Sequence, residues 1–257
     1  MTLEETIALA ENGDTDAIRS LGKYYFDEGE NGNLYESLKW YTLGAEKGLA
    51  DCMYFSALIG KHLGLTERLV GGTDLIDSAI DKLNLALNWA NKAADNGIAA
   101  AKSEIDVINA QLGIAYYFKG VSFTENDTDD IASHYFEKAI SLLTPLYWSS
   151  NDIEVSLYLA FSIELFSCFN ECSNELKKLK HKLLILCVED HFDEIGKNGG
   201  LASSFLGSMY TDGDGCNVDY DKAVHYFQKA HNAGLDCADT LQRFKKKLFG
   251  GYKFIGW

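Results

Sequence analysis

Leu206 to Gly234 reads LGSMYTDGDGCNVDYDKAVHYFQKAHNAG, and this stretch spells two helices joined by a turn. Leu206 and Tyr210 stand four residues apart and share one helix face. Gly207 beside them leaves a gap where a second helix can come close, which outweighs a propensity cost of about 1 kcal/mol. Gly213 and Gly215 end that helix in a turn, and Asp219 or Asp221 can cap the next one. Ala223, Tyr226, Phe227 and Ala230 then recur at i, i+3, i+4 and i+7, an apolar stripe in which two small residues bracket two rings. Gly234 stops the second helix.

Weaker copies of this pattern run outward through the chain. Tyr41 is followed at the third, fourth and seventh places by Gly44, Ala45 and Gly48. Ala90 leads in the same way to Ala93, Ala94 and Gly97, Phe192 to Ile195, Gly196 and Gly199, and Phe227 to Ala230, His231 and Gly234. Thr6 leads to Leu9, Ala10 and Gly13, and Phe136 to Ala139, Ile140 and Leu143. Leu-Gly-x-x-Tyr occurs at Leu21–Tyr25, Leu112–Tyr116 and Leu206–Tyr210, each followed by a glycine at Gly29, Gly120 or Gly213. One match is weak, but six copies in register are not chance. The anchors Thr6, Tyr41, Ala90, Phe136, Phe192 and Phe227 lie 35, 49, 46, 56 and 35 residues apart. That is the period of a helical solenoid with insertions in its central units.

The expected fold class is therefore all-α: an α/α solenoid of about five helical hairpins with capping helices. The hairpins are placed at 14–48, 49–97, 98–144, 150–198 and 200–234, with a start helix at 3–12 and a closing helix at 235–249. Leu241, Phe244 and Leu248 sit at capping spacing on that last helix. Residues 1–249 are read as a single domain. The aromatic tail 250–257, with Tyr252, Phe254, Ile255 and Trp257, is expected to dock, because exposed apolar surface costs roughly 25 cal/mol per Å². The fourth unit departs furthest from the pattern and lacks Leu-Gly-x-x-Tyr.

The formal net charge of −15 argues against nucleic acid and anionic membranes as partners and permits a basic one. The opening MTLEETIALAENG lacks a basic region followed by an apolar core, and no apolar run approaches the ~18 residues of a membrane span. A cytoplasmic chain with reduced thiols is expected.

The alanine and LGxxYxxG of the first helices, followed by D, KA, YFxKA and G in the second, resemble Sel1-like repeats, relatives of the tetratricopeptide repeat. The resemblance is most specific in 16–48 and 201–234. It implies a right-handed superhelix whose first helices line a concave face, and protein–protein interaction as the activity. Bacterial adaptors, assembly factors and some immunity proteins share such repeats. On this resemblance the partner-binding positions are Arg19, Lys23 and Phe26, then Ile114 and Tyr117, then Ser208 and Thr211. The competing reading of Phe26, Ile114 and Tyr117 is packing against the next hairpin. The acidic loop with Glu125, Asp127, Asp129 and Asp130 is either a solvated helix start or a landing site for a basic partner.

Little catalytic chemistry stands out. Cys168 and Cys172, with His181, Cys187 and His191 beyond, lack the tight pairing of a zinc site. Gly213-x-Gly215 is too short for a dinucleotide fingerprint. The reading is a non-catalytic scaffold or adaptor without metal or cofactor, a monomer or weak dimer. The alternative is a dedicated inhibitor, such as an immunity protein that occludes the active site of a basic toxin. An enzyme on a helical scaffold is disfavoured.

Overall fold

The computed structural model describes residues 1–27, 33–70, 75–124, 128–150, 152–248 and 250–256, which form two compact units, Met1–Lys119 and Gly120–Trp257. In the first unit α1 (Leu3–Glu11) precedes a hairpin of α2 (Thr15–Asp27) and α3 (Leu34–Glu46). A second hairpin follows, α4 (Ala50–Val70) and α5 (Ile76–Asp95), and then α6 (Ala99–Val121), whose last turn reaches the second unit. In the second unit come α7 (Asp129–Ser149), α8 (Ile153–Phe169) and α9 (Asn174–Ile185), the last ending in a π-helical turn at Leu186–Asp190. The final hairpin is α10 (Asn198–Asp212) and α11 (Tyr220–Asn232), followed by α12 (Ala238–Gln242). Two short strands, β1 (Phe244–Lys246) and β2 (Tyr252–Phe254), close the described chain.

The sequence sets the helix ends through glycine. At Gly48, φ is +88°. Its N–H bonds to the Ala45 carbonyl at 2.9 Å, and the Leu49 N–H reaches back to Gly44 at 3.1 Å. This cap requires a left-handed residue, which glycine adopts without steric cost. The same pair of bonds recurs at Gly13, Gly97 and Gly234. Leu143 holds that place in α7. The helix runs past it, through Pro145, to Ser149, and Leu143 is fully buried.

Glycine also sets the spacing between helices. A Cβ on Gly22 would lie 2.9 Å from the Tyr41 ring, and one on Gly207 would lie 2.9 Å from the Phe227 ring. In the third hairpin the glycine beneath the anchor ring is Gly120, whose Cβ would sit 2.6 Å from Phe136. In the second, Gly64 plays this part against Leu83 at 2.8 Å. Van der Waals contact between carbons begins near 3.5 Å, so none of these positions takes a side chain without separating the helices. Each hairpin buries its stripe this way: Ala17, Ile18 and Leu21 meet Trp40 in the first, and Leu206 and Tyr210 lie buried with Tyr226 and Phe227 in the last.

Three expectations are corrected. Phe192 is not on a second helix. The π-helical turn breaks the helical register, and residues 191–197 form turns. Gly199 is not a cap but lies within α10, where an added Cβ would sit 2.8 Å from the Phe192 ring. The closing helix at 235–249 shrinks to α12. Beyond it β1 pairs with β2 antiparallel, Phe244 opposite Phe254, because the tail offers a ring partner and α12 does not. Phe244 is buried between the rings of Phe227 at 5.8 Å and Phe254 at 5.1 Å. Leu248 is 91% exposed and caps nothing. The all-α reading holds for everything described except this β-hairpin. Trp257 lies outside the described residues.

Candidate functional site

In the first unit α2 and α4 are the first helices of successive hairpins. Arg19 on α2 grips Asp51 on α4 with two bonds, Nε at 2.7 Å and a terminal nitrogen at 3.3 Å, and reaches Asp16 at 3.2 Å. The Arg19 bond holds the Asp51 carboxyl below the usual carboxylate range. Arg19 is thus engaged inside the unit. Lys23 is exposed one turn further on. Phe26 ends the row, 45% exposed, beside a hollow of about 370 Å³ walled by Leu34, Leu58, Ile59, Lys61 and His62. Lys61 is held to Glu104 on α6 at 2.5 Å.

The same unit buries charge. Glu67 takes a bond from the Tyr35 hydroxyl at 2.9 Å and pairs with Lys82 at 2.8 Å. Burial pushes the Glu67 carboxyl up, but its bonds from Lys82, Ser78 and Tyr35 more than offset this and hold it below the usual value. Arg68 donates to Gln111 on α6 at 2.8 Å. These bonds add to the packing of Gly64 on Leu83 between α4 and α5, and they also tie α4 to α6.

Three of the proposed contact residues are not on a surface. Ile114 is fully buried and Tyr117 is 8% exposed, because α6 is covered on that face. Thr211 is 4% exposed, and its hydroxyl donates to the Gly207 carbonyl at 2.8 Å. These side chains are core and are withdrawn as contacts. Ser208 is half-buried and opens onto a cleft. Asp129 and Asp130 are exposed in the first turn of α7, where carboxylates favour the helix dipole. Glu125 and Asp127 lie outside the described residues.

The cleft is the feature that sequence reasoning missed. It has a volume of about 620 Å³ and lies among the ends of α8 and α10, α9 and the α10–α11 turn. At its base Lys180 of α9, 1% exposed, bonds Glu164 of α8 at 2.5 Å and Asp214 of the turn at 2.7 Å. Lys177 pairs with Asp214 at 3.0 Å. Burial pulls the Lys180 ammonium down, yet the two carboxylates more than offset this and raise it. Asp214 mirrors this: burial raises it, and the two lysines hold it below the ordinary range. Gly215, with φ +71°, brings the turn down onto the Lys177 backbone where no Cβ fits. A sequence signal existed: Glu164 is the only charge between Val155 and Asn170.

Cys168, exposed on α8, and Cys172, in the connection after it, do not share a helix face. Burial pushes the Cys187 thiol up to about 12, which leaves it a poor nucleophile. Among the described residues no three His, Cys, Asp or Glu side chains form a group that could hold a metal ion, and no helix is long and apolar enough to cross a membrane.

The sequence matches the Sel1 repeat over residues 15–49, 77–98, 109–142 and 201–235, and the first, third and fourth of these segments each hold a glycine packed on an anchor ring. This chain is a Sel1 repeat protein. Proteins of this kind are typically protein–protein interaction modules. The unmatched stretch 143–200 of this Sel1 repeat protein contains α8, α9 and the π-helical turn. Among solved structures it is similar to c5321, a protective antigen of uropathogenic Escherichia coli displaying an SLR fold, at 17% identity and a TM-score of 0.31. That match covers 91% of this chain and 49% of the other, so the chain spans about half its length. A Sel1 repeat protein from Oxalobacter formigenes is similar at 17% identity and a TM-score of 0.32, over 91% of this chain and 85% of the other. No curated protein matches the sequence.

Proposed function

We propose that this Sel1 repeat protein is a non-catalytic scaffold that holds a protein partner along its first helices. The observation that supports this most directly is the end of α2. Phe26 stands 45% exposed at the lip of a hollow walled by Leu34, Leu58 and Ile59, with Lys23 exposed one turn earlier. An aromatic ring left half in water beside an apolar hollow is the arrangement that anchors interfaces. The partner supplies a large apolar side chain to the hollow, and the charged residues around it set orientation.

A photo-crosslinking residue at position 26 of the full chain tests this in cells. It should trap a discrete protein, whereas the same residue at exposed Asn91 of α5, a second helix, should not. Equal trapping at both positions, or none at either, would remove the reading.

A further inference from the structure

The chain carries a net charge of −15, but its cations are not spread evenly. From Thr240 to Trp257 there is no Asp or Glu, while Arg243, Lys245, Lys246, Lys247 and Lys253 all fall within this stretch. The closing β-hairpin arranges them. Phe244 stands opposite Phe254, and Lys245 opposite Lys253. The Ile255 N–H donates to the Arg243 carbonyl and the Lys247 N–H to the Gly251 carbonyl, each at 2.9 Å, so the ladder runs on at both ends. Successive side chains of a strand point to opposite faces. Phe244 and Phe254 pack against Phe227 and Tyr220 of α11. The other face therefore gathers Arg243, Lys245, Lys247, Lys253 and Ile255. Lys245, Lys247 and Lys253 are exposed, and like charges set directly opposite one another repel. Among the described residues none of these four cations is in an ion pair, whereas Lys61, Lys82, Lys119 and Lys180 each are. Asp221 reaches the hairpin but accepts the Tyr252 N–H at 2.8 Å, which with the ring packing holds the cationic face rigidly on α11. Beside that face Leu248 projects from the turn, 91% exposed, and Ile255 is 52% exposed.

We propose that this face docks on an anionic lipid surface, with its lysines among the headgroup phosphates and carboxylates and Leu248 at the boundary with the acyl chains. An anionic bilayer offers negative charge and, just beneath it, hydrocarbon, so it answers both features of the hairpin at once. Nucleic acid offers no apolar layer to a projecting aliphatic chain, and a protein partner would need a hollow shaped for Leu248. The net charge of −15 set the sequence-based expectation against anionic membranes, and the arrangement of the hairpin overrides it locally. At physiological ionic strength exposed charges more than about 8 Å apart are largely screened, so a surface meeting the hairpin responds to the cations nearest it. The proposal does not depend on the scaffold reading; it adds a place at which the scaffold is held.

The test is sedimentation of the full chain with vesicles of phosphatidylcholine alone and of phosphatidylcholine mixed with phosphatidylserine. The protein should pellet with the mixed vesicles and stay in solution with the neutral ones. Salt of about 1 M, where the Debye length is about 3 Å, should release it. The variant Lys245→Gln, Lys247→Gln, Lys253→Gln should lower the affinity for mixed vesicles by about fivefold per lysine. Leu248→Ser should lower it about tenfold. Both variants change exposed side chains, and the first also relieves the Lys245–Lys253 repulsion, so neither should lower the melting midpoint and lost binding is not lost folding. Equal pelleting with both vesicles, no pelleting with the mixed ones, or an unchanged affinity in either variant would each overturn the proposal. Binding to polyglutamate that the lysine variant loses, without binding to any vesicle, would assign the face to an acidic protein and overturn lipid docking as well.

Discussion

The last hairpin and the one before it stand side by side in sequence and are held by different forces. α10 and α11 pack through shape. Gly207 admits the Phe227 ring, and Tyr210 stacks on Tyr226 with centroids 5.6 Å apart. α8 and α9 have no such glycine, and α9 is fastened to α8 and to the following turn by one buried ammonium and two carboxylates. Shape packing repeats readily, since a glycine opposite an aromatic ring serves in the first, third and last hairpins alike. A buried ion cluster does not repeat, because each charge needs its own partners. The repeat is lost where the joint changes from glycine on ring to lysine on carboxylate.

Breaking each joint should separate the two cases. Lys180→Ala has the largest expected effect. It strands Glu164 and leaves Asp214 with Lys177 alone, and removing one partner of a buried pair costs about 3–5 kcal/mol. Chemical denaturation of the variant should show this loss, and a change below about 1 kcal/mol would mean that the cluster is solvated. Gly207→Leu comes next. It drives a side chain into the Phe227 ring and should cost about 1–3 kcal/mol by overpacking. An unchanged melting midpoint would show that the helices separate freely.

The ionic joint should also answer to pH where the glycine joint does not. Asp214 is held below the ordinary range in the fold, so its contribution is present above about pH 4, the unfolded value, and is lost as pH falls through the lower folded value. Lys180 is raised, so its contribution is present below about pH 10.4 and is lost only as pH climbs through the higher folded value. The thermal midpoint of the protein should fall between about pH 4 and pH 2 more steeply than that of Asp214→Asn. Parallel curves would argue against a role for the pair. Smallest of all is Arg19→Ala. Its pair with Asp51 is more than a third exposed, so stability should drop by no more than about 1 kcal/mol.

The same contrast explains what could be read from the sequence. Gly13, Gly48, Gly97 and Gly234 marked true helix ends, because a left-handed cap is a demand that one residue meets alone. The glycine–ring contacts of Gly22 and Gly207 were legible for a similar reason, since the two partners recur at nearly fixed separations. Phe192 matched the offsets and still misled. Offsets record composition, and a π-helical turn changes which residues share a face without changing their order. Ile114, Tyr117 and Thr211 misled in another way: helical position distinguishes one face from another but does not say which faces a neighbour covers. Of the Lys180 cluster the sequence showed one member, the lone charge Glu164, but not its partners, since the members lie 16 and 34 residues apart and follow no period.

The β-hairpin that closes the described chain gives the protein a mechanical asymmetry. Tyr252 donates its N–H to Asp221 in the first turn of α11 at 2.8 Å, and Phe254 shields Phe244 over Phe227. Tension applied at residue 256 loads these two short strands across their rungs, one pair at a time, an unzipping geometry that yields at low force. A helix pair pulled along its length must shear all its contacts together. Under a pull from that end the strands therefore let go first, and the last hairpin is bared to water while its own helices are still folded.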